Sequence, residues 1–424
     1  MEPGALVLDS TRLAGRFLKG LRPTGIDRVC LAYQRRYGAG AHAAVGIGGR
    51  QYLMSARRSE RLFELLAGAD QSTPAVQVHW LSRLQALART LAPLQKPPSA
   101  PLRTRAHPLH GAPLAPARWL LNVGHSGLEH VGYTNWLVRR RLRAVFMLHD
   151  LIPLTHPEFA VPGGAERHRR RLATMLKRAQ GLILNSQATL QVLQEYAAAA
   201  ALPLPPCVVA ALGVDLAADG TAGSGRLPLE VHGPYFVMLG TIESRKGHWL
   251  MLQLWRRLVQ TMGPTAPKLV IIGRRGWEAE NAFDMLERCD TLRGVVHEVQ
   301  ACSDAQLVNW LRGAHALLFP SFAEGFGLPL AEALSLGTPV IASDLPVFLE
   351  TAPQRRDLAV YLDPLDGRGW MQAIRSQAAL DAPSLAAQRA QLQRSFRAPS
   401  WAQHFDTVDT FMAGLQHGSG AGVQ

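Results

Sequence analysis

Two clusters in the second half of the chain have the residue types and spacing that sugar-phosphate chemistry needs. The first is Arg245-Lys246, which follows the apolar stretch Tyr235-Phe-Val-Met-Leu239 and a short polar loop opening at Gly240. From His248 onward the chain reads as a helix. In an open parallel sheet, ligands collect beyond the carboxyl ends of the strands. A helix N-terminus there offers free N–H groups and partial positive charge, which suit a phosphate. Two cations at the same spot compensate the charge that grows on a diphosphate as its bond to a sugar breaks. By itself an Arg-Lys pair is also what a solvated helix start looks like. The second cluster shifts that balance. After the apolar stretch ending Phe319-Pro-Ser, Glu324 lies in a loop with Gly325, Phe326 and Gly327, and Glu332 follows on a helix. Glycines there let backbone N–H groups approach a ligand closely, and Pro329 fits a first helical turn. This spacing puts one carboxylate at the mouth of the site and the other deeper along the same wall. Carboxylates near a nucleotide sugar accept from its hydroxyls. Glu332 alone reads equally well as a solvent-facing helix acid.

The elements that position these residues are short apolar runs separated by helix-like segments. In the first half they are Ala5-Leu8, Trp119-Val123, Ala144-Leu148, Gly181-Leu184 and Val208-Ala211. In the second half they are Tyr235-Leu239, Lys268-Ile272, Ala316-Phe319 and Pro339-Ala342. Continuous rather than alternating apolar strands are what a parallel sheet covered on both faces requires. Strand-helix alternation then predicts doubly wound α/β architecture. The small-residue stretch 216–226 reads as a linker, dividing a first domain (1–218) from a second (228–395). Seven prolines between Pro93 and Pro116 exclude regular helix there. That segment reads as an excursion of the first domain, either an acceptor-side loop or an insertion without a role. Trp401, Phe405, Val408, Phe411 and Met412 have helical spacing, so residues 396–424 are expected to form a packing helix and a frayed tail.

Composition narrows the class. With 47% hydrophobic and 18% charged residues, the chain is a folded one rather than a disordered one. It shows no secretory leader and no apolar run near the ~20 residues that span a bilayer. Cys30, Cys207, Cys289 and Cys302 are scattered, which argues against a zinc site or disulfide framework and fits a reducing cytosol. Charge is uneven. Residues 1–218 carry 27 Lys and Arg against 12 Asp and Glu, whereas the remainder carries 18 against 20. A basic half beside a neutral half suggests an anionic partner, either nucleic acid or an acidic membrane surface. The chain has no recognisable nucleic-acid reading motif. The run Glu166-Arg-His-Arg-Arg-Arg171 is a solvated helix face or, on the sharper reading, a membrane contact.

The pattern Glu324-x7-Glu332, with Phe319-Pro-Ser before it and Gly337-Thr-Pro-Val-Ile-Ala-Ser after it, resembles family 4 retaining glycosyltransferases of the GT-B fold. Gly240-Thr-Ile-Glu-Ser-Arg-Lys and Val270-Ile-Ile-Gly-Arg-Arg-Gly-Trp277 are similar to the donor domain of its bacterial mannosyltransferase-like members. Ser244 and Gly247 stand where Pro and Asn are expected in close relatives. The resemblance is softer over residues 119–216, carried by Leu148-His149-Asp150, Asn185-Ser186 and Gly213-Val214-Asp215. It implies two facing Rossmann-like domains with a cleft between them, and a last helix crossing back to the first domain. It further implies that Arg245 and Lys246, with Gly240 nearby, bind the donor diphosphate. Glu324 contacts the transferred sugar, and Glu332 the ribose. Gly325, Phe326 and Gly327 present backbone N–H groups, and His149 faces the donor sugar across the cleft. On the acceptor side, the loops holding Gly25 and Arg28 and holding Gly124 are the candidates, although a tight turn explains the glycines as well. His149 alone is more often a structural histidine.

The reaction implied is transfer of a hexose, with mannose from GDP-mannose as the leaning, from a nucleoside diphosphate to a hydroxyl of a growing or lipid-linked polysaccharide. The anomeric configuration is retained and the leaving phosphate helps take the acceptor proton. No metal and no cofactor beyond the donor are expected, and the place is the cytoplasm or the inner membrane face. A nucleotide-sugar epimerase of the same fold and a non-catalytic sugar-binding or scaffold subunit stay open as alternatives.

Overall fold

The computed structural model describes residues 6–71 (except 22 and 24), 85, 87, 118–214, 231–352 (except 301) and 359–416. The linker 216–226, Asp215, the proline-rich segment 93–116 and the tail 418–424 lie outside the described residues. Thirteen strands form two sheets among the described residues. The first holds β1 (Leu6–Asp9), β2 (His42–Ile47), β3 (Arg50–Leu53), β4 (Trp119–Asn122), β5 (Arg143–Leu148), β6 (Ala179–Leu184) and β7 (Cys207–Val209), in the order β3-β2-β1-β4-β5-β6-β7. The second holds β8 (Tyr235–Leu239), β9 (Lys268–Ile272), β10 (Val296–Val299), β11 (Ala316–Phe319), β12 (Val340–Ser343) and β13 (Ala359–Leu362), in the order β10-β9-β8-β11-β12-β13. All pairings are parallel except β2 with β3.

Successive strand residues face opposite sides of a sheet, and here both sides are covered. In the first sheet Leu6, Leu8, Leu121, Val145 and Met147 join one core while Val7, Leu120, Phe146 and Leu148 join the other. In the second, Val237, Val270 and Leu317 face one core and Phe236, Leu269 and Leu318 the other. That two-sided burial is why the central strands read as unbroken apolar runs. β2, β3, β10 and β13 do not appear as such runs. Three of them are edge strands; β3 (Arg-Gln-Tyr-Leu) and β10 (Val-His-Glu-Val) are half-exposed and mixed in polarity, whereas β13 (Ala-Val-Tyr-Leu) is itself a short apolar run.

Each sheet reverses its order once, between β1 and β4 in the first and between β8 and β11 in the second. Flanking connections diverge there and leave a crevice past the strand ends. The two crevices face one another. The donor-side loop reaches the first domain directly, since Phe326 and Leu328 pack into the core of the first sheet.

The last helix, Trp401–Gln416, packs onto the first sheet. Phe405, Val408 and Met412 are buried in its core. A Cβ at Gly181 would lie 2.6 Å from Phe411, and one at Gly213 would lie 2.4 Å from the Trp401 nitrogen. Tyr33 Oη is 2.9 Å from His404 Nε2, and Tyr37 Oη donates to Asp409 at 2.8 Å. Among the described residues no helix is long and apolar enough to cross a membrane.

Candidate active site

The loops beyond β8 and β11, at the switch point of the second sheet, meet in one ion-pair cluster. After β8 the chain turns at Gly240 (φ +134°) and forms a short turn over Ser244–Lys246. The helix His248–Met262 then starts from Gly247 at φ +71°. A Cβ on Gly247 would lie 2.2 Å from the Pro320 carbonyl oxygen. This close approach of the two loops is the physical reason for glycine at a position where relatives are expected to carry Asn.

Within the cluster, Arg245 pairs with Glu243 at 2.6 Å and with Glu324 at 2.9 Å, and donates to the Ala323 carbonyl at 2.7 Å. Lys246 pairs with the other oxygen of Glu324, which also accepts from Ser321 Oγ at 2.9 Å. Burial alone would raise the Glu324 carboxyl, but Arg245 and Lys246 outweigh it and hold it down at about 2. Burial raises Glu243 above the ordinary carboxylate value, with Arg245 opposing. Two cations and two carboxylates therefore balance in a nearly dry site, where charges interact far more strongly than in water. Beside them, Ser244 Oγ and His248 Nδ1 are buried with no hydrogen-bond partner. Burial and then Lys246 push His248 down to about 3, so its ring is neutral.

The backbone of the loop after Glu324 is held by its carbonyls. That of Gly325 accepts from Ser186 Oγ (2.9 Å) and Thr189 Oγ1 (3.2 Å) of the first domain, and that of Phe326 from Thr351 Oγ1 (3.1 Å). In a trans peptide the next N–H points opposite to the carbonyl. The N–H groups of Phe326 and Gly327 therefore point away from the partners that hold the loop. Gly327 sits at φ +92° and opens the helix Leu328–Ser335, with Pro329 in its first turn. Glu332 on that helix is buried and pairs with Arg28 of the first domain.

His149 enters this contact mainly through its backbone. Its carbonyl oxygen lies 2.2 Å from where a Gly325 Cβ would be. Its ring is buried with Nε2 2.7 Å from the Val123 carbonyl, beside His125 at 4.9 Å between ring centres. A carbonyl only accepts, so Nε2 carries the proton and Nδ1 is the acceptor. Burial pushes His149 down to about 4. Burial, then His149 and His168, push His125 well below the ordinary range.

Of the acceptor-side candidates, Gly25 opens the helix Ile26–Tyr37 at φ +44° with free space where a Cβ would be. Gly124 sits in a tight place, since a Cβ there would lie 3.0 Å from that of Arg12 and 3.3 Å from Cys30 Sγ. Arg12 and Arg16 hold the fully buried Asp27 at 2.6 and 3.0 Å. The sequence carried no separate signal for the roles of Glu243, Ser321, Thr189, Arg12 and Arg16, because the partner each side chain takes, whether two residues away as for Glu243 or more than a hundred as for Thr189, is set by how the loops fold back on one another. The basic run 166–171 is not a uniform free face. Arg169 and Arg170 pair with Glu166, Arg171 pairs with Glu129, and His168 is buried. Among the described residues no group of His, Cys, Asp and Glu is placed to hold a metal.

Residues 225–356 match the family model described as glycosyl transferases group 1. That stretch lies in the domain built on the second sheet. It contains Arg245, Lys246, Glu324 and Glu332. Over 224 residues the chain is 32% identical to the serotype-specific mannosyltransferase WbdA of Escherichia coli, covering 50% of this chain and 27% of that protein. Over 132 residues it is 33% identical to the O-antigen chain mannosyltransferase B of the same species, covering 31% of this chain and 33% of that protein. These matches therefore span no more than a third of either relative's length. Among solved structures, HepE of Anabaena with UDP and glucose superposes with a TM-score of 0.62 at 15% identity, covering 97% of this chain and all of that one. Sucrose-phosphate synthase of Thermosynechococcus elongatus superposes at 0.59 with 16% identity, covering 98% and 99%. The two domains together have the GT-B fold.

Proposed function

We propose that this protein is a retaining glycosyltransferase that moves a hexose from a nucleoside diphosphate sugar to a saccharide hydroxyl. The observation that carries the reading is the convergence of Arg245, Lys246, Glu324 and the Gly325–Gly327 backbone at one switch-point crevice, facing a second domain. In the free protein Glu243 and Glu324 hold the two cations in place. A bound diphosphate takes over Arg245 and Lys246 and frees Glu324 to accept from the hydroxyls of the transferred sugar. The orphaned Ser244 Oγ and His248 Nδ1 suit polar contacts with that ligand. As the sugar–phosphate bond breaks, the cations and the loop N–H groups meet the growing charge on the leaving group, already oriented. The leaving phosphate takes the acceptor proton. Glu332 accepts from the ribose, and His149, neutral and with Nδ1 free to accept, borders the donor sugar.

The finer reading is mannose from GDP-mannose, supported by relatives named as mannosyltransferases. The acceptor is a growing or lipid-linked polysaccharide. Charge excess in residues 1–218 supports work at the inner face of the cell membrane. Thermal denaturation with GDP-mannose, UDP-glucose and ADP-glucose tests the donor reading. A rise with GDP-mannose above the other two is expected, and no rise with any of them would sink it.

A further inference from the structure

Four aromatic side chains ring one edge of the Arg245 site, and the reading above gives none of them a role. Trp277 follows β9. Its segment is stapled to the donor loop, because Gly276 N–H donates to the Ile242 carbonyl at 2.9 Å and Ile242 bridges to Arg275. A Cβ on Gly276 would lie 2.5 Å from Thr241. Phe322 is fixed to the same loop, its N–H donating to the Arg245 carbonyl at 2.8 Å. Phe159 and His156 come from the first domain, beyond β5. Their rings stack at 5.7 Å and 11°, and Phe159 lies 6.0 Å from Phe322. Trp277 Nε1 donates to the Phe159 carbonyl at 3.1 Å and closes the group across the two domains. Yet the indole is still 38% exposed, and the other three rings are half-buried rather than sealed in a core. Next to Trp277, Glu278 is held at φ +52°, a costly backbone state for a residue other than glycine.

A domain contact that served packing alone would bury these rings. Aromatic faces left open beside a polar, charged site suit a ligand with an apolar face and a polar rim. A pyranose ring is such a ligand: its C–H groups are drawn to the electron-rich aromatic face, and its hydroxyls reach outward to polar groups. Rigid aromatics also give large contact area with little entropy to lose. A nucleobase stacks too, but the expected ribose ligand, Glu332, meets Arg28 on the connection after β1. Phe159 follows β5, separated from β1 by β4 in the sheet. The cluster therefore flanks the sugar end of the donor rather than its base.

We propose that Trp277, Phe159, His156 and Phe322 form a saccharide platform that binds the acceptor's sugar ring next to the one that reacts. This rests on the transferase reading and adds to it an acceptor subsite built by both domains. The test is calorimetric binding of mannotetraose, maltotetraose and cellotetraose to the full chain, with GDP and UDP measured separately. At least one tetrasaccharide is expected to bind. Trp277→Ala should weaken it about tenfold or more, Trp277→Phe should stay within about threefold, and nucleotide affinity should hold within about twofold. Phe159→Ala should repeat the loss from the other domain. Unchanged saccharide affinity in Trp277→Ala, no binding of any tetrasaccharide to the native chain, or a parallel loss of nucleotide affinity would each overturn the platform. A native chain that binds a tetrasaccharide through Trp277 but neither nucleotide would instead overturn the transferase reading and leave the platform standing.

Discussion

Glu324 holds two cations and accepts from Ser321, and its side chain is 8% exposed. Its loss is therefore felt twice, in catalysis and in stability. Glu324→Gln keeps the shape and removes the charge that orders Arg245 and Lys246. Transfer is expected to fall by about 100-fold or more, with the fold retained by circular dichroism; near-normal turnover would remove Glu324 from the reaction. Glu324→Ala also leaves two buried cations short of a counter-charge, at a cost of about 3–5 kcal/mol in denaturant unfolding. Both cations and both acids come from two loops nearly eighty residues apart in sequence. Arg245-Lys246 and Glu324 were legible one at a time from residue type beside strand ends. Glu243 was not, because an acid before a basic pair has no meaning until the Arg245 side chain is seen to fold back onto it.

At the scale of elements, each loop is shaped by what it must approach. Gly325 touches the His149 carbonyl so closely that any Cβ would push the donor loop off the first domain. Gly325→Ala is expected to lower turnover by about 100-fold, since displacements near 1 Å at a reacting site cost that much. Each sheet should stay intact by circular dichroism, and wild-type turnover would show that the contact is not needed. The helix Trp401–Gln416 gives a second case. Phe405 packs edge-on against Tyr33 at 5.2 Å and Tyr37 at 5.4 Å. Phe405→Ala removes that buried ring and should cost about 3–5 kcal/mol, read as a lower denaturant midpoint. The apolar spacing from Trp401 onward announced a packing helix. Which sheet received it is read from Gly181 and Gly213, whose missing side chains make the room.

For the whole molecule, the buried histidines set a pH response. His149 and His248 have folded values near 4 and 3, and His125 and His168 are lowered as well. Unfolded histidine titrates near ~6.5. Between those limits the unfolded chain binds more protons, so stability falls as pH drops from about 6.5 toward 4. Asp9 works the other way. Burial raises it to about 6, so it favours the fold most below its unfolded value of ~3.8 and loses that advantage as pH rises through 6. Glu243, raised by burial, acts as Asp9 does, and the buried His404 joins the other four; five lowered histidines outweigh two raised carboxyls. The thermal midpoint should therefore drop between pH 7 and pH 5, and a flat profile would mean these rings are not buried and neutral. The same closeness of the domains appears in Glu350, which accepts from the free N–H groups of Gln187 and Ala188 at 2.6 and 3.0 Å.

Sequence by itself determined the α/β class, the central strands of both sheets other than β2, and the donor-side motifs. These depend on neighbours along the chain: an apolar run buried on both faces, a glycine loop, a helix start. Four strands escaped it, the edge strands β3, β10 and β13 and the interior β2, whereas the edge strand β7 was read as Val208-Ala211; β3 and β10 have an open side and need no continuous apolar run. Tertiary structure alone decided which residues pair. Arg28 with Glu332, Ser186 and Thr189 with Gly325, and Trp277 with Phe159 each join parts of the chain more than a hundred residues apart. Such contacts follow from how two switch-point crevices face one another, and a local pattern of residues does not encode that geometry.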